Sequence, residues 1–88
     1  MRKKYFAGNW KMHKTAAEAV ALAGELAQAL GGEKDRKLMV APPFTALGPV
    51  GARLAGSPLL LGAQNMGPEE QGAHTGEVSP PMLKDAGV

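Results

Sequence analysis

Apolar residues form three short runs along the chain, and each run is bounded by residues that interrupt strands. The runs cover residues 5–7, residues 38–41 and a third stretch that begins at Leu59 and continues to Asn65. The first run favours a buried strand that ends at Gly8. The second stops at a pair of prolines, because proline cannot donate to a sheet ladder. The pattern therefore predicts three short strands.

The segment between the first two runs has the pattern of an amphipathic helix. Thr15 precedes Glu18 by three residues, the spacing of a capping box, in which both side chains bond to backbone N–H groups at a helix start. Strong helix formers continue to Leu30, and the glycines at 31–32 predict an end with a left-handed cap. The predicted inner face carries apolar residues at steps of three and four: Ala19, Leu22, Ala23, Leu26 and Leu30.

A second helix pattern follows the two prolines. Thr45 is its predicted N-cap, and Leu47, Val50 and Leu54 fall on one face at helical spacing. Pro49 lies early enough in this helix to be tolerated. Gly56 is the predicted stop.

A polar loop over residues 67–78 separates the third run from a last short helix. Ser79 is the predicted start of that helix, with two prolines in the first turn where missing N–H donors cost nothing, and Gly87 is its predicted end. Twelve loop residues exceed the usual connection between a strand and a helix. Such loops tend to be functional, and this one projects far enough to reach a second subunit. A mobile surface loop is the alternative.

The elements alternate in the order β-α-β-α-β-α, which predicts an α/β fold with a parallel sheet covered by helices. Residues 1–88 are then one domain without a second one. Three parallel strands leave two sheet edges and much apolar surface open. The chain stops at Val88, where a fourth strand is expected to start, so the pattern looks incomplete.

Composition narrows the function classes. The 88 residues are 44% hydrophobic and 20% charged, as in ordinary globular domains. A net charge of +2, without an aromatic stripe or a basic helix, argues against nucleic-acid binding. The absence of cysteine excludes disulfides, thiolate metal sites and a cysteine nucleophile, and favours a reducing, cytoplasmic compartment. No apolar stretch approaches the ~18 residues of a membrane span, so no membrane association is expected.

Polar residues follow each predicted strand at its carboxyl end, where ligands bind in parallel α/β folds. These segments are residues 9–13, 42–45 and 64–75. Lys11 carries a compact ammonium group suited to a phosphate or a developing enolate oxygen, and Asn9 offers a donor and an acceptor beside it. A solvated loop lysine and a turn asparagine are the alternative interpretation. Trp10, between them, is expected to pack.

Metal and nucleotide chemistry have little support. Neither His13 nor His74 has a second His, Cys or paired carboxylate at ligand spacing, so both are expected to be solvated loop residues, and no metal site is expected. The glycines of the long loop match neither the dinucleotide fingerprint nor the P-loop motif.

Four short motifs, taken in order along the chain, resemble those of the triosephosphate isomerase family. They are AGNWKM at residues 7–12, APPF at 41–44, GAQN at 62–65 and GAHTGEVS at 72–79. The resemblance implies the N-terminal β-α-β-α-β-α portion of a (β/α)8 TIM barrel. It also implies an isomerase of glycolysis and gluconeogenesis that interconverts dihydroxyacetone phosphate and glyceraldehyde 3-phosphate through an enediolate, with no cofactor.

The resemblance further implies roles for particular residues. Lys11 is the expected catalytic cation and, together with Asn9, part of the substrate site. The family is a homodimer in which the third loop of one subunit grips the first-loop region of the other, and Thr75 would brace Asn9 and Lys11 of the partner subunit. The expected interface consists of Met12, Gly72, Ala73, His74, Thr75, Gly76 and Glu77.

One departure from the family is large. The family barrel has eight strand–helix units over ~250 residues, and this chain holds the first three. The catalytic histidine of the family follows strand four and the catalytic glutamate follows strand six, both beyond Val88. We therefore expect isomerase activity of the complete protein and none of residues 1–88 alone. The alternative is a non-catalytic truncated barrel fragment that serves in folding or association.

Overall fold

The computed structural model describes residues 2–88, which form three strands and three helices in strict alternation. The strands make one parallel sheet in the order β1-β2-β3. The predicted α/β fold with a β-α-β-α-β-α order is confirmed. The elements are β1 Lys4–Asn9, α1 Ala16–Leu30, β2 Arg36–Ala41, α2 Phe44–Leu54, β3 Leu60–Leu61 and α3 Pro80–Ala86.

The first strand does not end at Gly8, as the sequence pattern predicted. It pairs with β2 in an unbroken register from Lys4 opposite Arg36 to Asn9 opposite Ala41. Gly8 belongs to the strand because each residue of β1 has a partner on β2. Strand β2 likewise begins two residues before its predicted start. The longer β1 places Asn9, rather than Ala7, at the carboxyl end of the strand.

The third strand is shorter than predicted and does not continue to Asn65. Leu60 and Leu61 pair with Met39 and Val40 of β2, and the Gly62 N–H adds one more bond, to the Val40 carbonyl at 2.8 Å. Beyond Val40, β2 has one strand residue left before Pro42, so few backbone groups remain with which β3 can pair.

The burial predicted for the first strand is also wrong for the described residues. Tyr5 is 55% exposed and Phe6 is 48% exposed. Among residues 2–88, β1 pairs with β2 alone, so one edge of it stays open. The pattern of β-favouring residues identified the strand, but its burial depends on neighbouring elements.

The core lies between one face of the sheet and helices α1 and α2. The inner-face residues predicted for α1 are all buried or half-buried, and Leu47, Val50 and Leu54 of α2 are buried as predicted. Trp10 packs against this core from the end of β1. The buried core cluster consists of Ala19, Ala23, Val40, Ala46, Val50, Leu54 and Leu59.

The start of α1 confirms the predicted capping box. The Glu18 N–H donates to the Thr15 hydroxyl at 3.4 Å, and the Thr15 N–H donates to the Glu18 carboxylate at 3.0 Å. The predicted left-handed glycine cap at the other end is wrong. Gly31 keeps a right-handed conformation with φ −64°, and its N–H still bonds to the Ala27 carbonyl. The last turn of the helix therefore closes without a change of hand.

The predicted cap of α2 is wrong by two residues. The N-cap is Pro43, and Thr45 lies inside the first turn. Pro43 has the extended backbone of a cap residue, with φ −57° and ψ 157°, and its carbonyl accepts the Ala46 N–H at 3.0 Å. The ring of proline fixes this φ, so the helix starts as soon as the prolines end.

Helix α3 and the long loop follow the prediction. The Ser79 side chain caps α3 by accepting the Met82 N–H, and Gly87 ends it in the left-handed region with φ 105°. Residues 67–78 contain neither helix nor strand. Over the part of the chain that the structure describes, the helices are too short or too polar to cross a membrane.

Candidate functional site at the carboxyl end of the sheet

The last residue of β1 organises the turn that follows it. The side-chain oxygen Oδ1 of Asn9 accepts the backbone N–H of Lys11 at 2.9 Å, in the manner of an Asx turn. Lys11 has φ 52°, a left-handed conformation that is uncommon for residues other than glycine. Lys14 shares this property with φ 81°. Left-handed non-glycine residues cluster at functional sites, where the surrounding contacts hold them.

Gln64 contacts the carbonyl side of Lys11, opposite the N–H that Asn9 accepts. The sequence pattern indicated no role for Gln64 beyond its place in the third polar segment. The side-chain Nε2 of Gln64 donates to the Lys11 carbonyl at 2.9 Å and to the Ala41 carbonyl at 2.8 Å. One amide group thus ties the loop after β1 to the end of β2. The available signal was the position of Gln64 near the end of the third predicted strand and within the GAQN motif, which indicated the sheet end but not the bonding partners.

The three predicted segments meet at one open concavity. Asn9, Lys11 and Met12 come from the first, Pro43 and Phe44 from the second, and Gln64 from the third. Lys11 contributes the ionisable group of this lining. His13 and His74 do not line it. An ammonium beside two carboxamides, in a concavity open to solvent, suits an anionic ligand.

Trp10 lies between Asn9 and Lys11 in sequence and on the opposite side in space. Its side chain is half-buried against the core, and the backbone N–H of Trp10 donates to the Ala41 carbonyl at 3.1 Å. Successive residues of an extended chain point to opposite faces, so the amide of Asn9 faces away from the indole. The packing role predicted for Trp10 is confirmed.

The 67–78 loop is closed at its base and exposed at its tip. The Gly67 N–H donates to the Val78 carbonyl at 2.7 Å, which brings the two ends together. A turn near the tip is closed by the Glu77 N–H on the His74 carbonyl at 3.0 Å. Gly76 has φ 88°, a conformation that glycine adopts without strain. The predicted interface residues of this loop are all exposed: Gly72, Ala73, His74, Thr75, Gly76 and Glu77.

The loop and the start of α3 line a small, half-open cavity of about 120 Å³. It shares no lining residue with the concavity around Lys11. Its walls combine the apolar side chains of Pro68, Val78 and Met82 with the imidazole of His74 and the carboxylate of Glu77. The space is roughly ten times what one water molecule needs, so it has room for a side chain.

The ionisable groups with shifted pKa values do not line the concavity around Lys11. Hydrogen bonds from the Thr15 backbone and hydroxyl lower the pKa of Glu18 at the start of α1. Two hydrogen bonds from the Arg36 guanidinium lower the pKa of Asp35, and the Nε–Oδ1 distance of this exposed pair is 2.8 Å. Within residues 2–88, no three side chains of the His, Cys, Asp or Glu type come together as a metal site.

Comparison with known proteins places these features in a family. The family model of triosephosphate isomerase matches residues 4–88. The triosephosphate isomerase of Chloroflexus aurantiacus is 60% identical over 87 residues, which are 99% of this chain and 35% of the relative. That of Treponema pallidum is 60% identical over 88 residues, again 35% of its length.

The fold comparison agrees with the sequence comparison. The crystal structure of triosephosphate isomerase from Bartonella henselae matches with a TM-score of 0.84 and 34% identity, over 99% of this chain and 35% of that one. The chain thus spans about a third of the length of these relatives, and its fold is the predicted portion of a TIM barrel. It belongs to the triosephosphate isomerase family.

Proposed function

We propose that this chain supplies the cationic part of the active site of a triosephosphate isomerase, which interconverts dihydroxyacetone phosphate and glyceraldehyde 3-phosphate. The observation that carries the proposal is the placement of Lys11. In a chain of this family, it stands at the carboxyl end of β1 beside Asn9, in a concavity lined by three strand ends.

The reaction moves one proton between neighbouring carbon atoms. A base takes the proton from the carbon next to the carbonyl, the electron pair of that C–H bond forms a C=C bond, and the π pair of the carbonyl moves onto its oxygen to give an enediolate. Return of a proton to the other carbon, with transfer of the hydroxyl proton to the former carbonyl oxygen, completes the isomerisation. Triosephosphate isomerase is the familiar example of a glutamate base paired with a neutral histidine. Neither group lines the concavity around Lys11 within residues 2–88.

Lys11 contributes electrostatic stabilisation to this reaction. Its ammonium faces both the substrate phosphate and the oxygen on which negative charge develops, and charge that develops in the transition state is stabilised more than the neutral ground state. Hydrogen bonds to both its N–H and its carbonyl hold its backbone in place. A backbone so held leaves only the side-chain torsions of Lys11 to be ordered when substrate binds.

The experiment compares two lysines in the complete isomerase. Lys11→Ala removes the proposed cation, and Lys14→Ala removes a nearby lysine that also has a positive φ but does not line the concavity. In a coupled assay with triose phosphate, we expect Lys11→Ala to lower kcat/KM by at least about a hundredfold, the scale of a lost oxyanion donor. Lys14→Ala is expected to stay within about threefold of wild type. Comparable activities of the two variants would remove Lys11 from the site.

The proposal includes a homodimer in which Met12 enters the loop cavity of a second copy. Met12 is 93% exposed, and an apolar side chain so placed at the edge of an open concavity gains from burial. The cavity under residues 72–77 offers apolar walls and room for a side chain. Thr75 at the loop tip would then brace Asn9 and Lys11 of the partner subunit, so each site would depend on both subunits. Such an enzyme works in the cytoplasm and without a cofactor.

A further inference from the structure

The side-chain amide of Gln64 makes two hydrogen bonds to segments that are distant from it along the chain. Its Nε2 reaches the carbonyl of Lys11, which lies 53 residues earlier, and that of Ala41, 23 residues earlier. We propose that Gln64 is a positioning residue, which holds Lys11 in its left-handed conformation and so aims the ammonium into the concavity. The inference rests on the proposed function and adds a residue to it.

The orientation of the amide follows from its two partners. Both partners are carbonyl oxygens, which only accept hydrogen bonds, and the NH2 group of a carboxamide has two hydrogens to donate. The reversed amide would place Oε1 against two other oxygens and lose both bonds. The Ala41 carbonyl also accepts the backbone N–H of Trp10 at 3.1 Å, so Gln64 joins the paired end of β2 to the turn that follows β1.

The energy that the hydrogen bonds to Lys11 contribute is comparable to the cost of its strained backbone conformation. A non-glycine residue with positive φ costs about 1–3 kcal/mol. Each hydrogen bond contributes roughly 0.5–1.5 kcal/mol net. The bond from the Lys11 N–H to Asn9 and the bond from Gln64 to the Lys11 carbonyl act on opposite sides of the same residue. Loss of the second bond leaves the left-handed conformation supported on one side.

A change in the Lys11 backbone moves the ammonium without removing it. The ammonium sits at the end of a long side chain, so a backbone rotation at Cα displaces it by several bond lengths. Catalytic groups misplaced by about 1 Å lose about a hundredfold in rate. Since charge at the reacting oxygen develops in the transition state, the loss should fall on kcat more than on KM.

The test uses Gln64→Met in the complete isomerase, which keeps the length of the side chain and removes both donors. Gln28→Met is the matched control, because it makes the same substitution at an exposed glutamine of α1 that does not line the concavity. Each substitution is made with Lys11 present and in a Lys11→Ala background. The readouts are kcat and KM, the unfolding midpoint, and the φ of Lys11 in crystals of Gln64→Met.

We expect Gln64→Met to lower kcat by about ten- to a hundredfold with Lys11 present and by less than about threefold in the Lys11→Ala background. Gln28→Met should stay within about twofold of its parent in both. We also expect Lys11 to leave the left-handed region in the Gln64→Met crystal.

Two results would overturn the proposal. One is a Lys11 that keeps φ near 52° without the amide. The other is an equal loss of kcat in both backgrounds, because a residue acting through folding or directly on substrate does not depend on the lysine. An active Lys11→Ala parent would instead refute the proposed function, and the crystallographic φ of Lys11 would then decide the role of Gln64 by itself.

Discussion

The side-chain oxygen of Asn9 lies 2.9 Å from the backbone nitrogen of Lys11 and accepts its N–H. The last residue of a strand therefore shapes the backbone of the residue proposed to meet the substrate. This contact spans two positions in sequence, so it needs no contact with a distant segment. It leaves the side-chain amide nitrogen of Asn9 available for a ligand oxygen in the concavity.

Substitution of Asn9 should lower isomerisation without unfolding the complete protein. Asn9→Ala removes the acceptor for the Lys11 N–H, and we expect kcat/KM to fall by about tenfold or more, the equivalent of one lost hydrogen bond of about 1.4 kcal/mol. Asn9→Asp keeps an acceptor oxygen and shows whether the amide nitrogen is needed as well. A coupled assay measures both variants. Activity of Asn9→Ala within twofold of wild type would show that the turn forms without this bond.

The proposed dimer can be tested at Met12. Met12→Lys places a charge where an apolar side chain would be buried, and we expect the dimer dissociation constant to rise at least about thirtyfold, or about 2 kcal/mol. Met66→Lys is the control, since Met66 is also more than half exposed and lines neither cavity. Sedimentation of the complete protein measures both. In wild type, residues 72–77 should exchange amide hydrogens more slowly in the dimer than in the monomer. Equal effects of the two substitutions would place Met12 outside the interface.

Two glycines of α2 should respond differently to alanine. Gly48 has open space around it, but it precedes Pro49, whose ring disfavours the helical conformation of a residue that carries a Cβ at this position. Gly48→Ala should therefore change the stability of the complete protein by less than about 0.5 kcal/mol. A side chain at Gly51 would collide with the backbone carbonyl of Ala86, which cannot move without α3. We expect Gly51→Ala to destabilise by about 1–3 kcal/mol. Denaturant midpoints measure the pair, and shifts of equal size would contradict this close packing of α2 on α3.

The start of α1 should become pH-sensitive in the acidic range. Hydrogen bonds from Thr15 hold the pKa of Glu18 below its ordinary value of 4.5. A carboxyl group with a lowered pKa in the folded state stabilises that state above pH 4.5, and the stabilisation is lost as the pH falls through the folded value. The protection of the Thr15 amide against hydrogen exchange should therefore decline below pH 4.5. Glu18→Gln, which does not titrate, serves as the control. An identical decline in both proteins would exclude Glu18 as its cause.

Several features of this protein follow from the sequence because their partners are close neighbours along the chain. The capping box of α1 joins Thr15 to Glu18, and the Ser79 cap joins the first turn of α3, so three-residue spacings suffice to predict them. The apolar face of α1 follows from helical periodicity. The order of strands and helices implies that polar residues after each strand lie at one end of a parallel sheet, which predicted the neighbourhood of Asn9 and Lys11.

Other features depend on contacts between distant segments, and local patterns carry no information about them. Gly8 and Asn9 belong to β1 because Val40 and Ala41 lie opposite them, and β3 stops after two residues because its partner strand ends. Thr45 lost the capping role because the fixed backbone of Pro43 starts the helix earlier. The hydrogen bond from Gln64 to the Lys11 carbonyl forms only when the folded sheet brings the two groups within 2.9 Å of each other. The two residues lie 53 positions apart in sequence, and local sequence patterns do not predict a contact over that separation.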